Sequence, residues 1–155
     1  MAENLKSEHD ASGKKINRVC YRRQSEYCNE YGGLYAWNDL NVDEFKGDLQ
    51  GICPDGWHVP SDEEFAQMIE AVGGADSAAL KLKNAEEIDF NFQYGGNYHI
   101  RLENYNYLDK IAYYWTSSCF SKTASWMRMF GKNYVNSNRS TVPNLYALSV
   151  RCIKD

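Results

Sequence analysis

The sequence predicts an α+β fold: one or two helices followed by short, mainly antiparallel strands. Three observations carry this. A capped, amphipathic helical stripe runs from Ser61 to Val72. Several short runs rich in aromatic and β-branched residues follow it in the second half of the chain. The length, 155 residues without an internal repeat or low-complexity linker, suits a single domain. A chain of this size buries about 70% of its unfolded surface, so it needs neither a metal nor a partner to fold.

Residues 1–30 are polar and read as irregular, with a turn at Ser12-Gly13-Lys14-Lys15. Tyr31-Gly32-Gly33-Leu34-Tyr35-Ala36-Trp37 is an aromatic segment introduced by a Gly-Gly bend, and it reads equally as strand or helix. Asp39 to Gln50 is polar and loop-like. Cys53 to Pro60 reads as a turn followed by a short extended piece. Ser61-Asp62-Glu63-Glu64 is a capping box, with Ser61 as N-cap and Glu64 reaching back to it. Phe65, Met68, Ile69 and Val72 then recur at i, i+3, i+4, i+7, and Gly73-Gly74 stops the helix. Ala78 to Leu82 adds a further short turn. Tyr113 to Ser118 is rich in strand formers. Ala124 to Phe130 places Trp126, Arg128 and Phe130 on one face. Asn133 to Asn144 is polar and turn-rich, and Leu148 to Ile153 alternates as a final strand with Leu148, Val150 and Cys152 inward.

The formal net charge of −4 and a pI near 5.4 argue against nucleic-acid binding, which wants a basic face. No apolar run reaches the ~18 residues of a membrane helix, so membrane insertion is not expected. Met1-Ala2-Glu3-Asn4-Leu5-Lys6 lacks the apolar segment of a signal peptide; the chain is read as cytosolic as made, a mature fragment, or a piece of a longer protein. The chain has twelve tyrosines and frequent Asn, and eight of those tyrosines lie in the second half. Tyr, Asn, Ser and Gly build adaptable binding surfaces, although Tyr is also simply a good strand former.

Five cysteines stand at 20, 28, 53, 119 and 152, in no zinc-binding spacing, and the three histidines are scattered; no metal site or cofactor is expected. Two disulfides with one odd thiol is one reading, and buried free thiols in a reducing compartment is the other. Cys20 and Cys28 are near enough to bridge a local loop. Cys53 with Cys152 would then close most of the domain. Spacing alone does not choose the pairing.

Several motifs run through the whole chain in order: Met1-Ala2-Glu3-Asn4-Leu5, Cys20-Tyr21, Cys28, Tyr31-Gly32-x-Leu34-Tyr35-x-Trp37, and Cys53-Pro54-x-Gly56-Trp57-His58-Val59-Pro60-Ser61-Asp62-x-Glu64. Leu80-Lys81-Leu82-Lys83, Tyr114-Trp115-Thr116-Ser117-Ser118 and Ser149-Val150-Arg151-Cys152-Ile153-Lys154-Asp155 complete them. With these the chain resembles the Fibrobacter succinogenes major paralogous domain of Bacteroidetes-type bacteria. The resemblance implies a C-type-lectin-like fold, akin also to formylglycine-generating-enzyme domains. It implies secretion or surface display, which supports the disulfide reading, and it brings no catalytic residues; a phage-tail setting is the alternative location. The chain also resembles, more weakly, the variable proteins of diversity-generating retroelements, whose mutated positions lie near the C-terminus. The mixture over residues 118–147 is the one that adenine mutagenesis of Asn codons produces.

The expected function is therefore a non-catalytic ligand-binding domain, for receptor binding or adhesion to a protein or glycan. The alternatives are a structural surface or tail domain without its own ligand, or an enzyme related to the formylglycine-generating group. The candidate binding residues are Ser118, Phe120, Ser121, Ser125, Met127, Asn133, Tyr134, Asn136, Asn138, Asn144 and Tyr146. Glu63 and Glu64 belong to the first helical turn, where carboxylates favour the helix dipole. His58 is read as a buried hydrogen-bonding residue, and Trp57, Trp115 and Trp126 as core. Trp37-Asn38-Asp39 resembles the calcium-binding triplet of lectins, but Val142-Pro143-Asn144 lacks the Glu that would complete such a site, and calcium needs about six to eight oxygens.

Overall fold

A computed structural model describes residues 3–43, 47, 49–84 and 90–155 and has the expected α+β architecture. Met1 and Ala2 of the opening motif, and Glu44, Phe45, Lys46 and Asp48 of the expected loop, lie outside the described residues.

The first helix, α1 (Ser25–Tyr31), falls in the stretch read as irregular. It is short and has no apolar stripe. What positions it is the Cys20–Cys28 disulfide, with Cys28 fully buried. Gly32 ends it at φ +83, donating its N–H to the Cys28 carbonyl, and a Cβ there would run into Asn4. The aromatic segment that follows is both strand and helical turn: β1 (Tyr35–Ala36) and then a 3-10 turn over Trp37–Leu40.

The strand β2 (Trp57–His58) leads into α2 (Asp62–Ala71), and the capping box forms as expected. Ser61 Oγ accepts from the Glu64 N–H at 3.2 Å, and Glu64 Oε2 accepts from the Ser61 N–H at 2.8 Å. Phe65 and Ile69 are buried, with Met68 and Val72 flanking them. Gly73 and Gly74, at φ +101 and +89, turn the chain into α3 (Ala78–Asn84).

Strands β3 (Asn97–His99) and β4 (Asn104–Asn106) precede a meander of β5 (Ile111–Ser121), β6 (Ala124–Gly131) and β7 (Ser137–Pro143). β7 lies where a loop was expected. From Ser137 to Thr141 its side chains are polar on both faces, as suits an edge strand, so no alternation marked it; pairing with β6, from Ala124↔Pro143 to Phe130↔Ser137, extends it. The final alternating run is not one strand. It divides into β8 (Tyr146–Leu148), between β1 and β3, and β9 (Ile153–Lys154), paired with β2. Leu148, Val150 and Cys152 are buried as expected, and Cys152 is bonded to Cys53.

The meander is covered on both faces, which explains why Ala112–Ser118 of β5 is buried throughout. Tyr113 and Trp115 face one cluster, with Tyr35, Leu148, Val150 and the Cys53–Cys152 bridge. Ala112 and Tyr114 face the other, with Phe65, Ile69, Leu82 and Phe130 of α2, α3 and β6. The Trp115 indole N–H donates to the Tyr35 carbonyl at 2.8 Å and that of Trp37 to the Thr116 carbonyl at 3.0 Å, tying the β1 region to β5. Among the described residues no helix is long and apolar enough to cross a membrane.

Candidate functional site: a tyrosine cleft

The turn joining β6 to β7 is pinned from beneath. Lys83, the last lysine of the Leu80-Lys81-Leu82-Lys83 motif, donates to the carbonyls of Gly131, Lys132 and Tyr134 at 2.7, 2.8 and 2.8 Å. Burial holds its pKa below the ordinary lysine value. The Leu80 N–H also donates to the Val135 carbonyl. Gly131 has no side chain to obstruct the Tyr134 ring, which packs where a Cβ would stand.

Across from this turn lies the loop from Tyr107 to Ile111. Tyr107 and Asp109 both adopt left-handed backbone conformations, φ +65 and +55. That is a rare conformation for a bulky side chain, sustained only where the surroundings over-determine it. Here the Asp109 N–H donates to the Tyr94 carbonyl, the Lys110 and Ile111 N–H groups return to the Tyr107 carbonyl, and the Lys132 N–H donates to the Lys110 carbonyl. An ion pair, Lys132 Nζ to Asp109 Oδ1 at 2.7 Å, also joins loop to turn.

Between them is a cleft of about 310 Å³, lined by Tyr107, Asp109, Lys110 and Ile111 on one side and by Gly131, Lys132, Asn133 and Tyr134 on the other. Tyr107 and Tyr134 are 51% and 52% exposed, large rings left half open to water. Tyr113 lies behind them, its ring centroid 6.1 Å from that of Tyr107. Burial, with the neighbouring Tyr107, Tyr134 and Tyr146, pushes the Tyr113 hydroxyl up to about 12 against an opposing hydrogen bond from Asn97. Asn97 is itself buried, and its Oδ1 has no hydrogen-bond partner. The site thus has aromatic walls and a polar rim of both charges, with the buried Tyr113 ring behind them.

Of the expected binding residues, Asn133 and Tyr134 line this cleft, while Tyr146, on β8 of the other sheet, packs edge-on against His99. Asn136 and Asn138 follow on the ascending side, both partly exposed. The others lie at the far end of the same strands. Ser118, Ser125 and Met127 are buried: Ser118 Oγ accepts from the Asp62 N–H, Ser125 Oγ donates to Asn144 Oδ1 at 2.9 Å, and Met127 packs in the core. Asn144 Nδ2 in turn reaches Asn38 Oδ1, while Phe120 and Ser121 are exposed. The eleven residues therefore do not share one face. Tyr107, Asp109, Lys110, Lys132, Asn97 and Tyr113 were not among them, although the run Asn104-Tyr105-Asn106-Tyr107 carries the same Asn/Tyr crowding just upstream of the segment considered.

Two other polar clusters are built into the fold. Asp62, at the start of α2, bridges Arg128 and Arg139 at 2.7 Å each, and the Arg139 guanidinium stacks on Trp126, 3.3 Å from the ring centroid. Phe120 meets Trp126 edge-on. Trp126 is therefore only partly buried, as is Trp57, while Trp115 is wholly core. His58 stands between two carboxylates, Nδ1 2.6 Å from Asp155 and Nε2 2.9 Å from Glu64. Among the described residues no group of His, Cys, Asp and Glu could hold a metal ion.

No curated protein and no solved structure matches the chain. The sequence model of one family, the Fibrobacter succinogenes major domain, matches residues 1–154. With virtually its whole length covered, the chain belongs to the Fibrobacter succinogenes major domain family.

Proposed function

We propose that this chain is a non-catalytic binding domain, lectin-like in architecture, whose ligand docks in the tyrosine cleft. The observation that carries this is the convergence of Tyr107 and Tyr134, from segments remote in sequence, as half-open walls of one cleft on rigidly anchored backbone. Tyrosine presents a large amphipathic surface at low entropic cost, and anchoring of the backbone reduces the ordering that binding must do. The non-catalytic reading is supported by the employment of the titratable groups: Glu64 and His58 hold a helix cap and a strand, and four of the five cysteines are in disulfides. Those disulfides are compatible with an extracellular or surface setting.

The test is binding of the labelled domain to glycan and protein arrays, wild type beside the double variant Tyr107→Ala/Tyr134→Ala. A ligand captured by the wild type and lost by a double variant of equal melting temperature is the expected result. A ligand retained at full strength by the double variant overturns the proposal.

A diversified surface is a second reading, favoured by the exposed or half-exposed positions of Phe120, Ser121, Asn133, Tyr134 and Asn138. A nearby template repeat differing from codons 118–147 only at adenines, beside a reverse transcriptase, is the expected finding. Substitutions spread over all bases overturn it.

A further inference from the structure

We infer that the ligand of the tyrosine cleft is an oligosaccharide, a reading that rests on the cleft being the binding site proposed above. A sugar ring has two kinds of surface: a face of C–H groups, and an edge of hydroxyls that both donate and accept. The cleft offers a counterpart to each. The half-open rings of Tyr107 and Tyr134 can take the C–H faces. Asn133 brings an amide with donors and an acceptor, Lys110 an exposed ammonium, and the paired Asp109 and Lys132 an acceptor and a donor on the rim.

A third tyrosine, Tyr113, stands largely buried behind these walls, its ring 6.1 Å from that of Tyr107, and backs the open aromatic surface.

Size and charge suit a small polar ligand. A concavity of about 310 Å³ is at the small end of ligand clefts, about 300–1,000 Å³. The net charge of −4 opposes a nucleic acid. Within the cleft, Asp109 and Lys132 neutralise one another and Lys110 is left over, which suits a sugar that is neutral or carries one carboxylate.

The experiment is saturation-transfer NMR on the whole chain. The probes are trisaccharides of glucose, mannose, galactose, N-acetylglucosamine and glucuronic acid at millimolar concentration, with a random hexapeptide library as the rival. The expected result is transfer to the ring C–H protons of at least one trisaccharide. Tyr107→Ala or Tyr134→Ala should weaken that binding about tenfold or more, and Phe120→Ala, at the far end of the sheet, not at all. No transfer to any trisaccharide overturns the inference. If peptides then shift the amides of residues 107–111 and 131–134, the cleft stands as a binding site and only the sugar is refuted. A trisaccharide that binds both tyrosine variants at full strength refutes the cleft itself.

Discussion

The Lys83 ammonium lies 2.8 Å from the Tyr134 carbonyl and holds two further carbonyls of the same turn. A side chain on α3 thus fixes the backbone that carries a cleft wall. Lys83→Gln removes charge-assisted bonds worth roughly 1.5–3 kcal/mol each at most, with partial replacement by water, so a net loss of about 1–3 kcal/mol is expected. Urea unfolding measures it. Hydrogen exchange at Tyr134, whose N–H bonds to the Gly131 carbonyl, should accelerate more than exchange in β5; equal acceleration would mean the lysine stabilises the fold only globally.

Gly131→Ala tests the positioning of Tyr134 without deleting it. The new Cβ would occupy the space of the Tyr134 ring, and the ring must swing away. Ligand affinity is expected to fall while the melting temperature moves by a few degrees or less, read by calorimetry and titration on one preparation.

The two disulfides should differ in worth. The chain-entropy relation gives about 4.7 kcal/mol for the long Cys53–Cys152 loop and about 2.6 kcal/mol for the short Cys20–Cys28 loop. Double Ala variants, compared by denaturant midpoint, should therefore rank with Cys53/Cys152 the more damaging. The reverse order would place the main effect in α1, which the short bridge restrains.

His58 predicts a pH dependence. Burial, the largest single influence, disfavours its charge, but the hydrogen bonds and charges of Asp155 and Glu64 together outweigh it and raise the pKa above 6.5. A raised histidine contributes stability that is complete below the unfolded value near 6.5 and disappears as pH rises through the folded value. Glu64 has the opposite sense: burial raises it, but Ser61 and His58 prevail and lower it below 4.5, so its contribution is present above that value and is lost as pH falls through the folded one. Wild type should lose stability relative to His58→Gln from mildly acid to mildly alkaline pH, and salt should shrink the difference because Asp155 is exposed. Parallel curves for the two proteins would dismiss the ion-pair account.

Asp62→Ala should be costly. It leaves Arg128, which is 5% exposed, without its counter-charge, a change of about 3–5 kcal/mol for buried pairs, lessened here because the Asp62 carbonyl still accepts from the guanidinium. Thermal unfolding against Arg139→Ala separates the two: only the buried arginine should show a large effect, since Arg139 is half exposed.

Parts of this fold were legible because local chemistry and tertiary packing agree there. Ser61 and Glu64 cap α2 whatever surrounds them, and the 3.6-residue spacing of Phe65, Met68 and Ile69 records a single buried face. α1 and β7 were not legible, because each is imposed from outside, one by a disulfide and one by the neighbouring β6. The final run, read as one strand, conceals a change of sheet, since alternation reports burial and not the identity of the partner. At the site, crowding of Asn and Tyr located Asn133 and Tyr134 but set them among candidates that lie at the far end of the meander. It passed over Tyr107, Asp109 and Lys110, which reach the cleft in the loop between β4 and β5.

The division of the last run into β8 and β9 also has a consequence in time. β1 and β2 wait for partners that are synthesised near residue 150, whereas the β5–β6–β7 ladder is complete by Pro143 and then waits only for Leu148 to Cys152 to cover one face. During translation the meander can zip early, while the N-terminal strands stay open until the closing segment leaves the ribosome. Protease resistance of ribosome-bound chains should accordingly rise in a single late step, when Tyr146–Lys154 emerges, and Cys53 should stay open to alkylation until the same moment.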